Sequence, residues 1–232
     1  MEEIPETTHP PDHYDAEGGA PTELLKLANE DRVLIRSIRP SDKELLAAGF
    51  RSLSAESRYL RFFATVRELG EDDLAYLTEV DHRAHEALVA IEPSGGHILG
   101  VARYVRLADE PLADVAVVVH DSWQGRGLGT SMLRRLADRA REQGITHFVA
   151  RMLPQNDKAL ALLHSAESVE TRMLDDGKVE AVIELPEDSG IGPGLSTSLR
   201  AAAEGLLHGS AVNVLRGLLG HRSSATAPGD ES

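Results

Sequence analysis

The purest apolar run in the chain is Val115-Ala116-Val117-Val118-Val119, and five β-branched or small residues in succession read as a strand buried on both faces. A polar bend, His120 to Gln124, and a glycine-spaced loop, Gly125-Arg126-Gly127-Leu128-Gly129, follow it. Beyond the loop, Leu128, Met132, Leu136 and Ala140 recur at helical spacing with Leu133 beside them, and Gly144 stands where a C-terminal helix cap belongs. Upstream, Asp31–Ile38 reads as a strand ended by Arg39-Pro40, and Ser41-Asp42-Lys43-Glu44 has the form of a capping box opening a helix to about Phe50. A second helix starts at Ser54, before Ala55–Phe63, and a third opens on the acids Glu71, Asp72 and Asp73. Glu86–Glu92 and His97–Leu107 are strand-like and flank Pro93-Ser94-Gly95-Gly96, which predicts a hairpin. Ile145–Leu153 is a further strand, Asp157–Ala166 a helix, and Val169–Leu174 with Lys178–Leu185 a closing hairpin about Asp175-Asp176-Gly177. The order predicts an α/β layer fold around a mixed central sheet flanked by helices.

The two ends read differently. Residues 1–30 combine Pro5, Pro10, Pro11, Pro21, Gly18 and Gly19 with many acids, which predicts disorder with one short helical turn near Leu24–Leu27. Gly190, Gly192, Pro193 and Gly194 mark a linker. After it, Leu195, Leu199, Ala203, Leu206, Leu207, Val214, Leu215 and Leu218 form an amphipathic stripe, weakened by Gly205, Gly209 and Gly217. A loosely packed appendage is favoured over a partner-binding or membrane-surface helix.

Strand, glycine turn and helix make an anion cradle: glycines let backbone N–H groups approach a ligand, and a helix N-terminus adds unpaired donors and partial positive charge. No Lys-Ser/Thr follows the last glycine, which argues against a P-loop, and the G-x-G-x-G spacing is not the dinucleotide G-x-G-x-x-G.

The formal charge of −14 is uneven: residues 1–30 hold eight acids and one lysine, residues 187–232 five acids and three arginines. That balance argues against nucleic acid as a partner. Arg126, Arg134, Arg135 and Arg139 bring local positive charge to the loop and helix; the helix arginines read as a solvated face, which leaves Arg126 for the loop. The absence of cysteine excludes disulfides, zinc-thiolate sites and a cysteine nucleophile. Met-Glu-Glu opens no signal peptide, and no apolar run approaches the roughly 20 residues of a membrane span, so a cytoplasmic protein without a transmembrane segment is expected. His82 and His85 beside Asp81 and Glu86 invite a metal, but Glu86–Glu92 reads as a strand and no third ligand is marked, so none is expected. Trp123 reads as a packing lid before the loop.

Gln124-Gly125-Arg126-Gly127-Leu128-Gly129 resembles the Q/R-x-x-G-x-G/A signature of the GCN5-related N-acetyltransferases, whose element order residues 31–186 follow from end to end. Ile38-Arg39-Pro40, Ser54–Phe63 and Gln124–Gly129 look closest to the acetyltransferase domain of bacterial protein-lysine acetyltransferases. Those enzymes usually carry a further regulatory or ligase-like domain, for which 232 residues leave no room. The resemblance implies an N-acetyltransferase domain 31–187, between the acidic disordered segment 1–30 and the linker with a partly helical tail 188–232 that composition predicts. It implies acetyl-CoA as co-substrate, held through the backbone of Val117 and Val119, through Gln124, Gly125, Arg126, Gly127, Gly129 and Thr130 around the pyrophosphate, and by Asn156, which also reads as a helix N-cap.

Direct transfer to an amine is implied, with a protein lysine as the expected acceptor. A small-amine acetyltransferase and a non-catalytic CoA-sensing or scaffolding protein are the alternatives, and the oligomeric state is left open. In the related lysine acetyltransferases a glutamate near the start of the central strand takes the amine's proton; that position carries Asp114, one methylene shorter. Asp109 and Glu110 are nearby alternatives for that role, although they read more as turn residues. Two departures stand out. The family's tyrosine acid is missing, since Tyr14, Tyr59, Tyr76 and Tyr104 all lie upstream of the loop and His164-Ser165 occupy its helix; Glu167-Ser168 replace the usual Gly-Phe.

Overall fold

The computed structural model describes residues 19–27, 29–55, 57–58, 66–94, 96–107, 110–152, 154, 169–185, 199 and 203. Within them one sheet runs in the order β1 (Glu23–Lys26), β2 (Arg32–Ser37), β3 (His85–Ile91), β4 (Ile98–Arg106), β5 (Leu112–Val119), β6 (His147–Met152), β8 (Val179–Glu184), β7 (Val169–Met173). β5 and β6 run parallel and every other neighbouring pair antiparallel, so the sheet is mixed as expected. Three helices accompany it among the described residues: α1 (Lys43–Ser52), α2 (Glu71–Thr78) and α3 (Leu128–Glu142). No helix there is long and apolar enough to cross a membrane.

The period of two along each strand splits the core into two layers. Val115, Val117 and Val119 of β5 join Leu88 and Ala90 of β3 under Leu128, Met132, Leu133 and Leu136 of α3. Val118 faces the opposite layer, with Val89, Val101, Leu46 of α1 and Leu77 of α2. β5 is thus sandwiched between helices, which explains its unbroken apolar run. α3 ends as its sequence predicts: Gly144, at φ 72°, donates to Arg141 C=O at 2.8 Å, and Ile145 donates to Ala140 C=O at 2.9 Å. That is a Schellman closure, which favours glycine at the left-handed position.

Several expectations are corrected. Residues 23–26 are an edge strand paired with β2 where a helical turn was expected, so the sheet begins before residue 31. Ala20 N–H donates to the Ser37 hydroxyl at 2.6 Å, and Leu27 is buried in the core. The expected capping box gives way to a 3₁₀ turn, Pro40–Asp42, in which the Asp42 carboxylate accepts from Arg39 N–H and, bidentately, from Arg36. At the other end, Leu199 and Ala203 are buried in the α3 layer, so those two positions belong to the core beyond residue 187. Arg139 is 7% exposed rather than solvated, because its guanidinium meets the fully buried Glu86 carboxylate on the face of β3 that α3 covers. The expected helix at 157–166 lies outside the described residues.

Candidate functional site

β5 and β6 run side by side only at their starts. Leu112, Ala113 and Asp114 pair with His147, Phe148 and Val149, and no further pair follows among the described residues. Beyond Asp114 the two parallel strands part, and the edge of β5 that faces β6 opens. His120 N–H donates to Leu99 C=O on β4 at 2.8 Å, so by strand alternation Val118 and Ala116 turn their backbone groups to β4. Val115, Val117 and Val119 turn theirs into the opening. Their side chains are core, so backbone is what Val117 and Val119 present there.

The glycine loop stands at the Val119 end. Gly125 and Gly127 have φ of 72° and 82°, and nothing lies within 4 Å of where a Cβ would stand on either. The backbone favours glycine, and the space above it is free. α3 starts at Leu128 with Gly127 as its N-cap, without a side-chain cap or an acid in the first turn. Ser131 N–H makes the first intrahelical bond, to Gly127 C=O at 3.0 Å, which leaves the N–H groups of Leu128, Gly129 and Thr130 directed out of the helix end. These donors sit at the positive end of a helix of 15 residues, an arrangement that attracts an anion. Gly129, read as loop, lies inside the first helical turn.

Three side chains set this loop in place. The Gln124 carboxamide donates to Val119 C=O at 3.1 Å and to the Ser57 hydroxyl at 3.4 Å, clamping the loop to the end of β5. Asp121, to which sequence reasoning gave no role, accepts from Ser54 N–H at 2.9 Å, the Ser54 hydroxyl at 2.8 Å and the Ser57 hydroxyl at 2.6 Å. Burial pushes its carboxyl up, but those donors together outweigh burial and hold it below the usual carboxylate value. Ser54 also accepts from Ser57 N–H at 3.0 Å, the N-cap its sequence predicts. The Arg126 guanidinium lies 4.9 Å over the Trp123 ring and pairs with Asp31 at 2.6 Å, so the turn after β1 shares the loop's positive charge.

Asp114 stands at the apex of the opening, on the face away from α3 and 7% exposed. Val149, Arg151, Glu180 and Arg172 occupy successive rungs of β6, β8 and β7 on that face. They line an open groove of about 350 Å³ with Glu110 and Glu170 exposed at its rim. Arg151 reaches Asp114 at 3.3 Å and Glu180 at 2.8 Å. Sequence reasoning missed this arginine and glutamate, since only the strand register brings them beside Asp114.

His82 and His85 are tied elsewhere: His82 Nδ1 to Glu86 at 3.0 Å, His85 Nε2 to Arg103 at 3.1 Å. Tyr104 is buried under α3 with its hydroxyl donating to Arg83 C=O, and burial pushes that hydroxyl up. Asn156, His164-Ser165 and Glu167-Ser168 lie outside the described residues.

The sequence pattern of the acetyltransferase (GNAT) family matches residues 51–166, which span β3 to β6, the loop and α3. The chain belongs to that family. Acetyltransferase Pat of Mycolicibacterium smegmatis is 33% identical over 153 residues, 66% of this chain and 45% of that protein. Acetyltransferase PA5475 of Pseudomonas aeruginosa is 32% identical over 114 residues, 48% of this chain and 61% of that protein. This GNAT chain thus spans about half the length of these relatives. Among solved structures, the GNAT domain of S. lividans PAT superposes with a TM-score of 0.64 at 31% identity, covering 71% of this chain and 97% of that one.

Proposed function

We propose that this chain transfers an acetyl group from acetyl-CoA directly to an amine, and that the acceptor is a protein lysine. The opening between β5 and β6 carries the reading. It has backbone groups along one edge, an uncapped helix N-terminus at one end and a carboxylate at the other. From Val119 to Asp114 is five residues, about 17 Å of strand. Amide groups suit the exposed strand edge, and a pyrophosphate suits the α3 terminus, where Gly125 and Gly127 leave room. Acetyl-CoA carries both, and the relatives named as acetyltransferases agree with that choice.

Acetyl-CoA supplies the activated acyl group. The α3 N–H groups hold the pyrophosphate, the Val117 and Val119 backbone aligns the arm, and an N–H on the same edge polarises the thioester carbonyl. An acceptor ammonium has an ordinary pKa near ~10.4, so it must lose a proton before it can attack. Asp114 accepts that proton through a bridging water that makes up for its short side chain. The nitrogen lone pair then forms the C–N bond as the C–S bond breaks with its electron pair on sulfur, and the surplus proton left on nitrogen passes to that sulfur, giving the amide and the free thiol. A thiol of pKa about 8.5 leaves readily, so no side-chain acid is required. The open groove, with acidic Glu110 and Glu170 at its rim, suits a cationic side chain presented on another protein.

Release of free thiol from acetyl-CoA, followed against lysine peptides and small amines, tests the reading. Lysine peptides are expected to be acetylated, and Asp114→Asn to slow turnover by about 10²–10⁴-fold with acetyl-CoA affinity nearly unchanged. Small amines outpacing every peptide overturns the acceptor assignment. Acetyl-CoA bound but consumed with no amine turns the chain into a CoA-sensing protein.

A further inference from the structure

Glu180 lines the groove beneath its acidic rim, and Asp114 lies beside it across Arg151, in different surroundings. Glu180, 3% exposed, has both oxygens taken by guanidinium groups: Oε2 by Arg151 Nε at 2.9 Å and Nη2 at 2.8 Å, Oε1 by Arg172 Nε at 2.7 Å and Nη2 at 2.5 Å. Two donors on one oxygen fix the plane of the Arg151 fork. Its remaining corner, Nη1, is buried, meets no hydrogen-bond partner among the described residues, and stands 3.3 Å from Asp114 Oδ2 as an ion pair.

We propose that Glu180 and Arg151 are a positioning pair for Asp114: Glu180 anchors the guanidinium so that it holds Asp114 ionised without closing on it as a bidentate partner. The proposal rests on the reading of Asp114 as the group that takes the acceptor's proton. A cation within hydrogen-bond range favours the carboxylate over the acid. A guanidinium free to rotate would occupy the carboxylate with two donors, leaving it a poor proton acceptor. Glu180 prevents that rotation, and Arg172, mostly exposed, occupies the oxygen that would otherwise compete for the acceptor's proton. The four charges balance within the cluster.

Other charged groups face Asp114 from each neighbouring element. On β4, Arg103 lies two rungs away and is engaged with His85 and with Leu77 C=O. His147 lies two rungs back on β6, and Glu110 and Glu170 sit at the rim. None of them changes in the variants below.

The pair predicts shifts of opposite sign. Arg151→Gln removes the cation, so the acid limb of kcat moves to higher pH, by on the order of one unit. Glu180→Gln removes an anion and frees Arg151 to close on Asp114, so the limb moves to lower pH and kcat falls about tenfold. In the 232-residue chain without ligand, the 13C carboxyl titration of Asp114, assigned by difference against Asp114→Asn, is expected to move in the same two directions. Where a single variant fails to fold, Arg151→Met with Glu180→Met removes the pair without leaving one charge buried, and gives the upward shift. A carboxyl titration unmoved in these variants, or moved the same way by both single substitutions, overturns the positioning pair. A titration that moves as expected while kcat keeps its acid limb, in these variants and in Asp114→Asn alike, upholds the pair and overturns the base reading instead.

Discussion

At the scale of single residues, the loop shows how far spacing alone carries. Glycines at 125, 127 and 129 are legible in the sequence, yet they do different things. Gly125 and Gly127 hold left-handed backbone, while Gly129 lies inside the first turn of α3. A Cβ added at Gly127 meets no atom within 4 Å beyond its chain neighbours, so the main cost of Gly127→Val to the fold is the left-handed backbone, roughly 1–3 kcal/mol. Its side chain enters the space above the α3 terminus, where an anion would sit. We expect a folded protein with acetyl-CoA binding abolished, and calorimetry showing unchanged affinity would remove the loop from the site. Asp114 became a candidate only through the family resemblance, which points to the start of the apolar strand, whereas nothing in the sequence pointed to Arg151 and Glu180. They lie 29 residues apart, and only pairing between β6 and β8 sets them side by side. Arg139 carried a signal that went unread: it falls three residues after Leu136 and seven after Met132, on the apolar stripe of its own helix.

At the scale of elements, α2 docks on the sheet through a polar contact that periodicity does not show. Arg103 of β4 donates to Leu77 C=O in the last turn of α2 at 3.0 Å and lies 3.1 Å from His85 Nε2 on β3, while the Tyr76 ring lies 5.1 Å from the His85 ring. A cation at a helix C-terminus is favourable. A guanidinium only donates, so His85 Nε2 must accept, and the imidazole is neutral. Burial, reinforced by the Arg103 charge and opposed by Asp81, pushes His85 down to about 3. The folded state therefore binds fewer protons than the unfolded chain below the ordinary histidine value near 6.5. Stability from this residue is full above that value and falls as pH drops toward 3. His85→Gln keeps an acceptor for Arg103 and removes the titration. Between pH 6 and 4 the melting temperature of the variant should fall less steeply than that of the native chain, a difference on the order of 1 kcal/mol per pH unit. Parallel curves would show that His85 is protonated in the folded protein.

At the scale of the whole molecule, the order of strands and helices was legible because each long element carries its own period, and the mixed sheet followed from it. The ends were not, since four-residue β1 lies among prolines and acids, and glycines interrupt the stripe that contains Leu199 and Ala203. Both ends nevertheless enter the α3 layer: Leu27 is 5% exposed, Leu199 0% and Ala203 2%. Glu23 adds a bidentate pair with Arg135 of α3, although at a half-exposed position such a pair contributes little. Burying one leucine is worth roughly 1.5–3 kcal/mol, and in a domain of this size each kcal/mol moves Tm by about 2–4 °C. A chain cut to residues 31–187 should therefore melt on the order of 5–15 °C below the full chain, with removal of either end alone producing part of the drop. Equal melting temperatures would mean that neither end contributes to the core in solution. Below its melting point the shortened chain should bind acetyl-CoA as the full chain does, because the opening between β5 and β6, the loop and the α3 terminus all lie within 31–187. A shortened chain that is fully folded by circular dichroism but has lost acetyl-CoA would make the site depend on the ends, and Asp31, which pairs with Arg126 and would become the first residue without the β1 turn and Asn29 that hold it, would be the first contact to examine by Asp31→Asn in the 232-residue chain.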